Sequence, residues 1–175
     1  YEKIFCKKMN DLVIELTDME KEICTLVGQS RYYNNRKKNI KINIIEGNDF
    51  SAQTDVEGVM AEMAFCKHHE IYPAEVFRIG VTSKRSGNDM GDAYVSGKWV
   101  DVKSTKSENG MLFSMMKNPN VDIYALMVGS GGVYRYVGCM KNEDLCVEDR
   151  WGHHKVFRRP CYAAKQNELK KYEDL

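Results

Sequence analysis

The stretch that most limits how this chain can fold runs from Gly91 through Asp92, Ser96, Gly97 and Asp101 to Lys103. Tyr94, Val95, Trp99, Val100 and Val102 favour extended backbone, and a glycine between two such runs supplies the positive φ of a tight turn. The stretch reads as two short strands joined at Ser96-Gly97-Lys98. With Ser96 and Gly97 as the loop, Val95 faces Lys98 and Asp92 stands opposite Asp101. Lys103 then shares their face, because strand side chains alternate with period two. With Gly97 and Lys98 as the loop, Asp92 pairs with Lys103 instead, and the three side chains still share a face.

Two carboxylates facing each other across a hairpin, with β-carbons roughly 5 Å apart, repel and need compensation. A hard divalent cation supplies it, since Mg²⁺ takes oxygen ligands from one or two carboxylates, water and a substrate phosphate. Lys103 lies about 6.6 Å along the strand from Asp101, within reach of such a phosphate or of an attacking water. Taken alone, Asp-x-Lys equally suits a hairpin face turned to solvent.

At 175 residues, 43% hydrophobic and 29% charged, the chain is long enough for one domain with its own core. That domain divides into a helical part over about 11–38, a core over about 55–140 and a tail over 141–175. No apolar run approaches the roughly 18 residues of a membrane span and no signal-peptide pattern opens the chain, so a soluble protein without a membrane partner is expected. The first residue is Tyr1 rather than Met, so the numbering need not start at the natural N-terminus. Six cysteines are scattered without a Cys-x-x-Cys pair, which fits a reducing cytoplasm.

Net charge does not advertise a nucleic-acid partner, because 26 Lys and Arg nearly cancel 25 Asp and Glu. Its distribution is more informative. Arg31, Arg36, Lys37 and Lys38 surround two tyrosines, and Lys84-Arg85 precedes the hairpin; both are candidate phosphate contacts, although a charge run also suits a plain solvated face.

Thr17 with Glu20 forms a capping box ahead of Ile23, Leu26 and Val27, predicting a helix from about Asp18 to Asn35. Residues 39–54 read as a loop with a short extended piece at 40–45. Asp55 then caps a second helix, on which Val56, Val59, Met60, Met63 and Cys66 form an apolar stripe, with Pro73 beyond its end. Glu62 borders that stripe, and a carboxylate at a core edge is costly unless a partner or metal holds it.

Val76 to Gly80 reads as a strand. Ile123 to Val128 is an apolar run suited to a strand covered on both faces, and Gly129-Ser-Gly-Gly132 turns it into a partner over Val133–Val137. A helical turn at Lys141–Cys146 precedes a polar tail carrying Leu169, Tyr172 and Leu175, with room for a terminal helix. The implied fold class is α/β (α+β), a mixed central sheet of about five strands flanked by helices.

Glu62 on a helix, Gly91-Asp92, and Asp101-Val102-Lys103 together resemble the PD-(D/E)XK nuclease superfamily, the restriction-endonuclease-like fold. The Gly58-x-x-x-Glu62-x-Ala64 form of the helix, with Arg31 on the helix before it, is similar to small members encoded by phages and other viruses. The resemblance covers about Arg31 to Lys103, and it departs from the pattern in placing Gly91 rather than Pro before Asp92. It implies that Asp92, Asp101 and the Val102 carbonyl bind Mg²⁺ or Mn²⁺, with Glu62 joining directly or through water. It also implies that Lys103 orients or deprotonates the attacking water. Asp89 is a nearby alternative acid, and Ser104 or Thr105 could touch phosphate but suit structural roles better.

The expected activity is metal-dependent hydrolysis of DNA phosphodiester bonds by an endonuclease in the cytoplasm, the host's if the protein is viral, with Arg31, Arg36, Lys84 and Arg85 contacting backbone phosphate. Two alternatives stay open: a nucleic-acid binder without turnover, and a junction-resolving homodimer. Zinc fits poorly, because His68-His69 and His153-His154 have no companion Cys/His spacing and neighbours on a helix point about 100° apart. Gly129-Ser-Gly-Gly132 lacks the Lys-Ser/Thr of a phosphate loop.

Overall fold

A computed structural model of the protein describes residues 13–37, 52–79 and 90–174. Strand β1 (Val13–Glu15) leads into α1 (Asp18–Lys37), and α2 (Ala52–His68) follows. The hairpin strands are β2 (Ala93–Val95) and β3 (Lys98–Thr105). Then come β4 (Leu112–Ser114), β5 (Ile123–Ser130), β6 (Val133–Lys141) and the short α3 (Asn142–Leu145). Strands β7 (Trp151–Gly152) and β8 (Cys161–Ala164) complete the set.

The start of α1 follows from its sequence. The Thr17 amide donates to Glu20 Oε2 at 2.6 Å and the Glu20 amide to Thr17 Oγ1 at 3.3 Å, the reciprocal pairing of a capping box. The buried face of α1 is Cys24, Val27 and Gly28, with Ile23 half-buried beside them, while Leu26 is 66% exposed. At 100° per residue Leu26 lies well away from the line through Cys24, Val27 and Arg31, so helical spacing alone mistook it for core. Gly28 explains why the two helices lie so close. A β-carbon there would sit 2.5 Å from the Val56 Cα, so only glycine lets the backbones approach.

Helix α2 begins a turn before Asp55, which sits in its first turn rather than at its cap. The stripe Val56, Val59, Met60, Met63 and Cys66 is buried as its spacing requires.

Among the described residues the central sheet has strand order β1-β6-β5-β3-β2. Only the β3–β5 pair within it is parallel, which makes this an α+β fold with a mixed sheet. Strand β5 is buried on both faces, and its side chains alternate between two cores. Ile123, Ala125 and Met127 join the helices, whereas Tyr124, Leu126 and Val128 join Leu112, Leu145 and Ala164. The helices therefore cover one face, and a small sheet of order β4-β8-β7 covers part of the other.

Three expectations give way. Residues 74–77 form a turn rather than a strand, because the carbonyls of Val76 and Arg78 accept from the Arg31 side chain instead of from a neighbouring strand. The turn between β5 and β6 is Gly131-Gly132, both at positive φ, so β5 runs two residues further than the glycines suggested. No terminal helix forms among the described residues beyond short 3₁₀ turns. The tail instead pairs Lys170 with Cys139, and Tyr172 donates its hydroxyl to the Val95 carbonyl at 2.7 Å. The extended piece expected at 40–45, and Leu175, lie outside the described residues.

No helix among the described residues is long and apolar enough to cross a membrane. Cys24, Cys66, Cys139, Cys146 and Cys161 are buried free thiols, and burial pushes those of Cys24 and Cys66 up to about 12.

Candidate functional site

The hairpin takes the first of its two registers. Val95 pairs with Lys98 across a Ser96-Gly97 loop in which both residues have positive φ. Pairing ends at Ala93 with Val100, and the next step sets Asp92 opposite Asp101. Here β2 stops and its side chain takes over: the Asp92 amide donates to the Val100 carbonyl at 2.8 Å, and Asp92 Oδ2 accepts the Val102 N–H at 2.8 Å. A strand residue points its N–H and C=O to the same edge, so the Val102 carbonyl opens toward the same place. Gly91 makes the arrangement possible. Its φ is +94°, and a β-carbon on it would meet the Val100 oxygen at 2.8 Å, which excludes the superfamily's proline at this position.

Val100 and Val102 turn into the core under the helices. Asp101 and Lys103 therefore project from the opposite face, where their partners on β5 are Tyr124 and Leu126, and the Lys103 ammonium donates to Asp101 Oδ1 in a close ion pair. The expectation that all three hairpin groups share one face is corrected. Asp101 and Lys103 share it, while the Asp92 carboxylate lies in the plane of the sheet, against the bare edge of β3.

Glu62 approaches from the helix side. It is 8% exposed, and Arg31 Nη1 donates to its two oxygens at 2.8 and 2.9 Å. The site is thus a convergence on the β3 edge, with one acid from the helix layer, one in the sheet plane and one from the far face.

Each of these groups feels the others' charge. Burial pushes the Asp92 carboxyl well above the usual carboxylate range, and Glu62 and Asp101 push it further. Burial likewise raises Glu62, against the pull of Arg31. Burial works against the charge on Lys103, but Asp101 and Asp92 outweigh it and hold the ammonium protonated beyond its ordinary range. Among the described residues three acids face two cations, so one negative charge is left to be neutralised by a proton or a bound cation.

The donor chemistry fits Mg²⁺ or Mn²⁺: carboxylate oxygens of Asp92 and Asp101 and the edge-facing Val102 carbonyl are hard ligands, and the excess negative charge favours a cation. Among the described residues no three acidic, histidine or cysteine side chains converge closely enough to hold an ion. Glu62 is drawn to Arg31 and Asp101 to Lys103, so these two links would have to loosen for a full ligand set.

Arg31 is not available to phosphate, contrary to the expectation. Its N–H groups are committed to Glu62 and to the carbonyls of Val76 and Arg78, with Glu75 at 3.4 Å. Arg36 is exposed, its guanidinium 5.0 Å from the centre of the Tyr32 ring. Lys84, Arg85 and Asp89 lie outside the described residues. Thr105 accepts the Ser107 amide in a structural turn, and Ser104 is exposed.

The pattern of a family of unknown function, DUF5843, matches residues 12–134. The chain belongs to that family. No curated protein and no solved structure matches it. The part shared with DUF5843 contains Arg31, Glu62, Asp92, Asp101 and Lys103, together with the strands that position them.

Sequence reasoning missed a cleft whose lining lies within the family match except for Phe157. A cavity of about 340 Å³ opens beside Asp101 and Lys103, and its other side is apolar and aromatic, including Phe113, Met116 and Phe157. Phe157 lies in His153-His-Lys-Val-Phe-Arg-Arg159, an aromatic within a basic run. That combination was a usable signal of nucleic-acid contact, but the run read as tail because no periodicity marks it.

Proposed function

We propose that this protein is a metal-dependent nuclease that hydrolyses phosphodiester bonds in DNA, acting as an endonuclease in the cytoplasm. The observation that carries the reading is the charge imbalance at the β3 edge, where among the described residues Glu62, Asp92 and Asp101 face Arg31 and Lys103 alone. A buried carboxyl held well above its ordinary range beside two others marks a site arranged for something other than stability. The resemblance to the PD-(D/E)XK pattern supplies the reaction class.

In this reading Asp92, Asp101 and the Val102 carbonyl hold Mg²⁺ or Mn²⁺, with Glu62 assisting directly or through water. Such an ion supplies Lewis-acid polarisation of a phosphoryl oxygen and a more acidic bound water. Lys103, held as a cation by Asp101 and Asp92, would orient the attacking water and offset charge on the pentacovalent phosphate. Arg31 is a positioning residue: by holding Glu62 it sets where the third acid points. Lys103 moving from Asp101 toward a phosphate releases the Asp101 carboxylate for the cation.

A second reading, a nucleic-acid binder without turnover, is favoured by the same two ion pairs, because they hold Glu62 and Asp101 away from a shared ion. Plasmid nicking with Mg²⁺ or Mn²⁺ separates the two. The nuclease reading expects nicking that falls by roughly 100-fold or more in Asp101→Ala and Lys103→Ala. Nicking that survives undiminished in both variants removes it, as does a wild type that cuts neither plasmid nor single-stranded DNA with either ion.

A further inference from the structure

We propose that the cleft beside Asp101 and Lys103 receives an unpaired nucleotide, so that the substrate is single-stranded or locally unpaired DNA rather than continuous duplex. This rests on the nuclease reading for its chemistry, but the binding step can be tested without it.

The cleft joins two unlike surfaces. Asp101, Lys103, Ser114 and Lys117 are polar members of its lining, and Phe113, Phe157 and Met116 are apolar members around the same 340 Å³. The ring centres of Phe113 and Phe157 are 5.0 Å apart at 76°, and His154 packs on Phe113 at 5.1 Å and 62°. Edge-to-face contacts of this kind hold aromatic side chains in fixed positions. Yet Phe113 and Phe157 remain only half-buried, and Met116 is 53% exposed. An apolar surface left open to water next to a charged site calls for a ligand that is apolar at one end and anionic at the other.

A nucleotide is such a ligand, but only when its base is out of the stack. Continuous duplex keeps its base faces inside and would set sugar and phosphate against Phe113 and Phe157, where nothing could pair with them. An unpaired base offers a π-face to the aromatic wall while its phosphate reaches Lys103. Lys117 lines the cleft, and Lys155 and Arg159, which flank Phe157 in the chain, are exposed. Exposed cations spaced around an aromatic suit the phosphates of neighbouring nucleotides in a flexible strand.

The test is fluorescence anisotropy in EDTA, where cleavage plays no part, comparing a single-stranded oligonucleotide with a fully paired duplex of the same sequence at one salt concentration. A 2-aminopurine in the single strand reports stacking through quenching. The wild type is expected to bind the single strand roughly tenfold tighter than the duplex and to quench the probe. Phe157→Leu and Phe113→Leu are each expected to weaken single-strand binding roughly tenfold, with quenching lost and duplex binding unchanged. Phe157 lies in a loop, so its variant keeps the test sound if Phe113→Leu proves unstable. Equal or tighter duplex binding, no binding to either, or single-strand binding indifferent to Phe157→Leu in a folded protein overturns the proposal. Tight single-strand binding by a protein that cuts neither single-stranded DNA nor plasmid with Mg²⁺ or Mn²⁺ would remove the nuclease reading alone, whereas duplex nicking indifferent to Phe157→Leu would remove the cleft proposal alone.

Discussion

Arg31 and Glu62 join the two long helices through a buried ion pair, Arg31 Nη1 donating to the carboxylate oxygens at 2.8 and 2.9 Å. The same guanidinium also gathers the carbonyls of Val76 and Arg78, so it pins the turn after α2 as well. Removing it strands a buried carboxylate and two carbonyls together. Arg31→Met is expected to lower unfolding free energy by about 3–5 kcal/mol. Arg31→Lys should recover little, since an ammonium cannot reproduce the fork. The double variant Arg31→Met, Glu62→Gln should lose less than Arg31→Met alone. Urea titrations of the three variants check this, and a full rescue by Lys would contradict it.

Asp92 is expected to make the protein's stability fall with rising pH and, on the proposed function, rise with Mn²⁺. Its carboxyl titrates above the ordinary 3.8 because of burial first, then Glu62 and Asp101. The unfolded chain therefore releases this proton before the folded one, and folding stability falls as pH rises from about that value toward the raised one. Asp92→Asn keeps an acceptor for the Val102 N–H while removing the charge. In EDTA at neutral pH the variant should melt higher than the wild type. Mn²⁺ should raise the melting temperature of the wild type and leave the variant unmoved.

Two glycines test position against mere stability. Gly91→Ala forces a side chain onto φ +94° and against the Val100 oxygen, at an expected loss of about 1–3 kcal/mol. Because Asp92 follows directly, the Mn²⁺-linked rise in melting temperature should shrink as well. Gly28→Ala pushes α1 away from the Val56 backbone and should destabilise at least as strongly. Where the variant remains folded, its Mn²⁺ response should persist. A Gly91→Ala protein with an intact Mn²⁺ response would show that Asp92 does not depend on this backbone.

His69 opposes Asp92 in sign. Burial, then neighbouring His68, lowers its pKa from 6.5 to about 4, against the weaker pull of Glu173. Its ring packs on Phe65 at 4.4 Å and lies near Tyr136 and Tyr172. Between pH 6.5 and about 4 the unfolded chain binds the proton that the folded chain refuses, so stability contributed by His69 is lost as pH falls through that window. His69→Phe should flatten the melting temperature across those pH values. An unchanged slope would place the acid sensitivity elsewhere.

Local signals carried well where the physics is local. The capping box at Thr17 and Glu20, the Ser96-Gly97 turn and the doubly buried β5 each depend on residues a few positions apart, and each formed as its spacing required. Strand β1 and the β4-β8-β7 sheet left no clear trace. Their strands are two to four residues long, too short for alternation to register. Val76 misled for a related reason: its apolar neighbours suited a strand, but a long-range donor, Arg31, claimed the backbone carbonyls.

The order of residues by itself determined the hairpin and that Asp101 and Lys103 share a face, because of the turn glycine and the two-residue period; it left two registers open, and the structure takes the Ser96-Gly97 one. It also placed Glu62 at a core edge. Only the tertiary structure decided that Asp92 accepts from the Val102 N–H at the edge of the sheet, that Arg31 is turned inward to Glu62, and that Phe113 and Phe157 line one cleft with Asp101 and Lys103. Those relations join groups tens of residues apart, and what fixes them is which surfaces must be buried against one another, a matter on which neighbouring residues carry no information.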